Sequence, residues 1–84
     1  MITEWIEINR DKNGFATEKS LNKMFENELI IVARSELYRV YYDVIKRENQ
    51  VEWRGEIYRN IRYTHYLPIN YVPINYENTQ QCHI

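Results

Sequence analysis

Apolar residues open the chain at every second position. Ile2, Ile6 and Ile8 fall with Glu4 on one side, and Trp5 falls with Thr3 and Glu7 on the other. That alternation predicts a strand over 2–8. Arg10-Asp11-Lys12-Asn13-Gly14 then carries charge, an Asn-Gly pair and no apolar side chain, which is a loop. The period changes after Thr17. Leu21, Met24 and Phe25 recur at helical spacing, so a helix is expected over about 17–27, with Thr17 as N-cap, Glu18 in the first turn and Asn27 as its stop.

From Glu28 onward the pattern returns to strands. Leu29-Ile30-Ile31-Val32-Ala33 is a continuous apolar run, the signature of a strand covered on both faces. Tyr38, Val40, Tyr42 and Val44 then alternate with a second set that carries Arg39 and Asp43, so the first set is expected to be buried. After the charged turn 46–50, Val51, Trp53, Gly55 and Ile57 alternate with Glu52, Arg54, Glu56 and Tyr58, predicting another half-buried strand. A last strand runs from Ile61 through Tyr63 and His65 to Pro68, which lacks the N–H that a ladder needs. Strands joined by short polar turns pair antiparallel. The predicted class is α+β: one helix packed on a three- to four-stranded antiparallel meander in two layers, with the N-terminal strand at an edge. The helix is expected to cover Val40, Tyr42, Val44, Val51, Trp53, Ile57, Ile61 and Tyr63.

Eighty-four residues provide one core, assigned to 1–69. Residues 70–84 read as an extended Pro/Asn/Tyr arm and polar tail, built on the repeat Leu67-Pro68-Ile69-Asn70-Tyr71, Val72-Pro73-Ile74-Asn75-Tyr76. The arm is expected to lie over its own domain or to dock on another chain.

Eleven basic and twelve acidic side chains leave a net charge of −1, which argues against a dedicated nucleic-acid coat or a polybasic membrane anchor. The lone Cys82 rules out an internal disulfide within this sequence. Met1 to Trp5 shows no basic or apolar leader, and the longest apolar run, 29–33, is far shorter than a membrane span of about 20 residues. A cytoplasmic protein without membrane contact is expected.

Candidate chemistry is sparse. His65 has no nearby carboxylate in sequence to form an acid–base dyad, and His65, Cys82 and His83 lack metal-site spacing. Gly14 and Gly55 are the only glycines, so no phosphate-cradling loop is available. The expectation is no enzyme, no metal and no cofactor. Six of the seven arginines lie between 34 and 62 among aromatic residues. Tyr, Trp and Arg dominate protein-binding hot spots. Arg39, Tyr41, Arg54, Tyr58, Arg62, Tyr66, Tyr71 and Tyr76 are therefore the candidate partner-binding set, the partner being another protein or a second copy in a homodimer. Two alternatives use the same residues differently. One is a weak single-stranded nucleic-acid binder with stacked bases, which the span's seven bases against five acids do little to support. The other is a small ligand-binding or hydrolytic domain centred on His65.

Trp5-Ile6 at the opening and Thr64-His65-Tyr66-Leu67-Pro68 at the close carry a further signal. There the chain resembles a family of small phage and prophage proteins catalogued as domain of unknown function 551. Its members open on Trp-Ile-Ser and close on Val-Thr-His-Trp-Met-Pro-Leu-Pro. The likeness spans about 5–69 but rests on the two ends; here Asn13-Gly14 and the helix over 17–27 stand where the family carries Leu-Pro-Glu and a Gly. The resemblance implies the strand order and a mobile-element origin, and it brings no catalytic residues.

Overall fold

The computed structural model describes residues 4–69. Strand β1 (Ile6–Glu7) is followed by helix α1 (Glu18–Met24), strands β2 (Leu29–Ser35) and β3 (Val40–Lys46), helix α2 (Gln50–Arg59) and strand β4 (Tyr63–Pro68); a 3₁₀ turn over Arg47–Asn49 leads into α2. The strands form one antiparallel sheet in the order β1-β4-β2-β3. The α+β class, the two layers and the edge position of β1 are as expected. The order departs from the consecutive one of a meander, because only β2 and β3 form a hairpin. Each helix instead links two strands that run the same way with a third between them, since β4 lies between β1 and β2, and β2 between β3 and β4.

Helix α1 forms for the reasons the sequence provides. Thr17 Oγ1 accepts the Ser20 N–H at 3.2 Å, and Leu21, Met24 and Phe25 are all buried. They meet Ile30, Val32, Ile45, Ile57, Tyr63 and Tyr66 in a single core. Both helices therefore lie on one face of the sheet, and among the described residues nothing covers the other.

Three expectations are corrected. The segment read as a strand over 51–58 is helix α2. Trp53 and Ile57 stand one turn apart and point at the core, where Trp53 meets Tyr63 edge-on at 6.3 Å; Val51 is exposed. Glu52, Arg54 and Glu56 are accordingly helical residues with no cross-strand partners. The faces of β3 are exchanged: Ile45 is buried while Val40, Tyr42 and Val44 are exposed. Asp43 can occupy the inner face because Arg34 Nε lies 3.7 Å from its carboxylate. Ile61 is exposed in the turn before β4, and on β4 Tyr63 and Tyr66 are both buried, although strict alternation would separate them. The register shifts there: Ala33 faces His65 while Arg34 faces Tyr63, so Thr64 is the extra residue of a bulge and turns both rings inward.

Burial raises the pKa of both tyrosines, with the carboxylate of Asp43 adding to the effect at Tyr63 and that of Glu26 at Tyr66. The folded state thus holds their protons more tightly than the unfolded chain does. The contribution is fully present below the ordinary tyrosine value of about 10 and is lost as pH rises through the higher folded values. Urea midpoints measured from neutral to strongly alkaline pH should therefore fall on the alkaline side. Replacing Tyr63 and Tyr66 together by Phe should flatten that fall; an unchanged slope would place its origin elsewhere.

The loop after β1 is tied back to α2. Gly14 takes φ +90°, a region that side chains rarely adopt, and Asp11 Oδ1 accepts the N–H groups of Asn13 and Phe15. Ala16 N–H donates to the Tyr58 carbonyl, and the Phe15 and Tyr58 rings stack at 4.8 Å. Arg10 then closes the C-terminal end of α2. Its Nη1 donates to the carbonyls of Gly14 and Tyr58, and its Nη2 to those of Ile57, Asn60 and Tyr63, all at 2.9–3.1 Å. Two of these acceptors belong to the last turn of α2, where carbonyls lack helical partners and the dipole favours a cation.

Candidate sheet-face interface

The cross-strand register fixes which side chains share the uncovered face. Glu7, His65, Ala33 and Tyr42 lie in one row across the four strands, and Leu67, Ile31 and Val44 in the next. Trp5 precedes β1 on the same side by alternation, and Val40 extends the surface along β3. Trp5 (41 % exposed) and Tyr42 (61 % exposed) come from opposite edges of the sheet, yet their ring centroids are 5.8 Å apart. The small Ala33 lies in the row beneath them and is almost fully covered. Val44 is 63 % exposed, and Ile31, Leu67 and His65 are half-buried. The outcome is a contiguous apolar and aromatic face with one Glu–His pair at its β1 end, a type of surface that marks interaction sites.

A second cluster crowns the β2–β3 hairpin. Glu36 N–H donates to the Arg39 carbonyl at 2.8 Å, leaving Leu37 and Tyr38 at the tip, 79 % and 91 % exposed. Beneath the tip, the Tyr41 ring lies under two guanidinium groups, Arg34 at 4.8 Å and Arg39 at 5.4 Å. Glu36 pairs with Arg34 and, at 2.5 Å, with Arg62. The hydrogen bond between Arg34 and Glu36, together with the charges of Glu36 and Asp43, outweighs desolvation and raises the Arg34 pKa. A shallow depression of about 570 Å³ lies among these residues.

Arg39, Tyr41 and Arg62 are therefore gathered at one end of the sheet, whereas Arg54 and Tyr58 are elsewhere. Arg54 donates to Asn22 Oδ1 at 2.8 Å and lies over the Phe25 ring, joining the two helices. Tyr58 stacks on Phe15. Tyr66 is 2 % exposed and belongs to the core, so its expected partner-binding role is corrected. Tyr71 and Tyr76, with the rest of the 70–84 arm, lie outside the described residues. Sequence reasoning missed Tyr42, Val44 and Leu67, because the assumed β3 face buried the first two.

His65 has an acid beside it after all, Glu7 directly across the ladder, but both stand on the open face and not in a cleft. Among the described residues, no three of His, Cys, Asp and Glu group closely enough to hold a metal ion. A second depression, about 1010 Å³, opens between the start of β2 and the start of α2 and mixes acids with bases, Arg47 pairing with Glu28 at 3.3 Å. No described helix is long and apolar enough to cross a membrane.

The two ends that carry the phage-protein resemblance are neighbours in space, with Ile6 opposite Tyr66 and Glu7 opposite His65. Comparison with known proteins finds no matching family model, no matching curated protein and no matching solved structure.

Proposed function

We propose that this chain is a small non-enzymatic accessory protein of phage or prophage origin. It acts in the cytoplasm by binding another protein through the uncovered face of its sheet. The observation that carries the reading is the pairing of Trp5 and Tyr42 over Ala33, flanked by Val44, Ile31 and Leu67, on the face that neither helix covers. Large amphipathic rings combine wide contact area with a polar edge, the properties of hot-spot residues. The hairpin tip, with Leu37 and Tyr38 above Arg39 and Tyr41, lies at one end of this face and extends its rim.

A photo-crosslinking amino acid at Val44, compared with one at Glu52 on α2, tests this in cells that make the protein. Adducts are expected from the Val44 position alone. They should weaken about tenfold in a Trp5→Ala background, as expected for loss of a hot-spot ring. Trp5 is partly exposed, so that variant should retain its fold by circular dichroism. Equal adducts from Glu52, or adducts indifferent to Trp5, would remove the sheet face from consideration.

A further inference from the structure

The outer edge of β3 bears on assembly through its backbone groups. β3 is seven residues long, and among the described residues it pairs with β2 alone. Its pairing runs without a shift from Leu29↔Lys46 to Ser35↔Val40. Proteins usually blunt an edge of this kind with a proline, a bulge or a short strand. The other edge strand, β1, has only two residues, whereas β3 is long and has no proline or bulge; its charges are Asp43, turned inward and paired with Arg34, and Lys46 at its end.

The direction of its backbone groups follows from the hydrogen bonds around it. Glu36 N–H donates to Arg39 O, Arg47 N–H to Glu28 O, and Ser35 N–H to Arg62 O of the segment leading into β4. Since N–H and C=O of one residue point the same way and alternate along an antiparallel strand, Tyr41, Asp43 and Ile45 bond to β2. Val40, Tyr42, Val44 and Lys46 then turn theirs outward. These four also place their side chains on the open face, three of them apolar.

We infer that β3 pairs antiparallel with β3 of a second copy about a two-fold axis at Tyr42. The pairing joins two four-stranded sheets into one of eight strands. Charge selects this register. The longest overlap would centre on Asp43 and set two carboxylates directly opposite each other in a non-hydrogen-bonded pair, where side chains come closest. Centring on Tyr42 instead places Tyr42 opposite Tyr42, Val40 opposite Val44 and Tyr41 opposite Asp43, with no like charges face to face. All the outward groups of Val40, Tyr42 and Val44 then find partners. The residue pairs 42–42, 40–44 and 44–40 each exchange two backbone hydrogen bonds. The two uncovered faces merge into one, with the Trp5–Tyr42 pair of each copy beside the axis.

Sedimentation equilibrium on the full chain tests the pairing. The wild type should show twice the chain mass, falling to one on dilution. Tyr42→Lys and Tyr42→Glu, each placing like charges together at the axis, should be monomeric alone and form a dimer when mixed, because only position 42 meets itself. Amide hydrogen exchange provides a reading that needs no variant. The Val40, Tyr42 and Val44 amides should be protected at high concentration and exposed at low, while those of Tyr41, Asp43 and Ile45 stay protected throughout. A wild type monomeric at every concentration overturns the inference. So does a dimer that survives both substitutions, which would place the contact elsewhere, or a mixture that stays monomeric. Leu67→Ala on β4, two strands from the β3 edge, tests binding at the sheet face and should leave the mass unchanged, so the two readings can fail separately.

Discussion

Replacing Arg10 with Ala lowers the unfolding free energy by about 3 kcal/mol, since hydrogen bonds to charged groups contribute roughly 1.5–3 kcal/mol each and are not additive. The guanidinium serves five carbonyls through two nitrogens, so at least one N–H is shared and five full contributions cannot be summed. Among the described residues, no carboxylate pairs with it, and burial lowers its pKa. Its favourable interactions are therefore with the α2 terminus and the adjoining turns. A chain of this length has a total stability of about 4–13 kcal/mol, so the loss is a large fraction of it. Arg10→Lys keeps the charge near the dipole but replaces a planar fork with a point donor, and should recover less than half. Urea denaturation at neutral pH reads both, as a lower midpoint at unchanged slope. A loss under about 1 kcal/mol would mean that water satisfies these carbonyls equally well.

Tyr66→Ala is the second large effect, at about 4 kcal/mol, by analogy with truncating other buried aromatic rings. Its ring fills the centre of the core, between Ile6 on β1 and Val32 on β2 in the ladder. The substitution leaves a cavity in the middle of a small core and should leave a substantial unfolded fraction at 37 °C. Tyr66→Phe keeps the ring and should cost at most about 1 kcal/mol, the net contribution of a single hydroxyl hydrogen bond. Thermal melts followed by near-ultraviolet dichroism distinguish the two. A stable Tyr66→Ala chain with lost binding would restore the surface role this residue was first expected to have.

Where local chemistry decides the structure, the sequence was legible. Thr17, Leu21, Met24 and Phe25 announce α1 through a cap and a stripe, and Leu29–Ala33 announces a central strand. The segment 50–59 failed because its apolar positions fit both periods. Val51, Trp53 and Ile57 alternate, but Trp53 and Ile57 also lie four apart, and Gly55 weakens either element. The tie is broken by contacts distant in sequence: Arg10 at the helix end and Tyr63 against Trp53. The β3 faces were unreadable for a similar reason, because Asp43 is tolerable inside only with Arg34 beside it. That error hid the interface. Tyr42 and Val44 read as core when they stand on the open side, and Tyr66 read as surface when a bulge turns it inward.

The place of β4 in the sheet has a consequence for how the chain is made. The final strand of the described chain fills a central position, with β1 on one side of it and β2 on the other. While residues 63–68 remain inside the ribosome, β1 has no neighbour to bond, and the emerged chain can form little beyond the β2–β3 hairpin and isolated helical turns. Completion of the sheet then joins positions about sixty residues apart, a slow, non-local closure. Synthesis leaves the described sheet exposed until β4 emerges, so nascent chains halted before Tyr63 should be degraded by proteases that spare chains extending past Ile69.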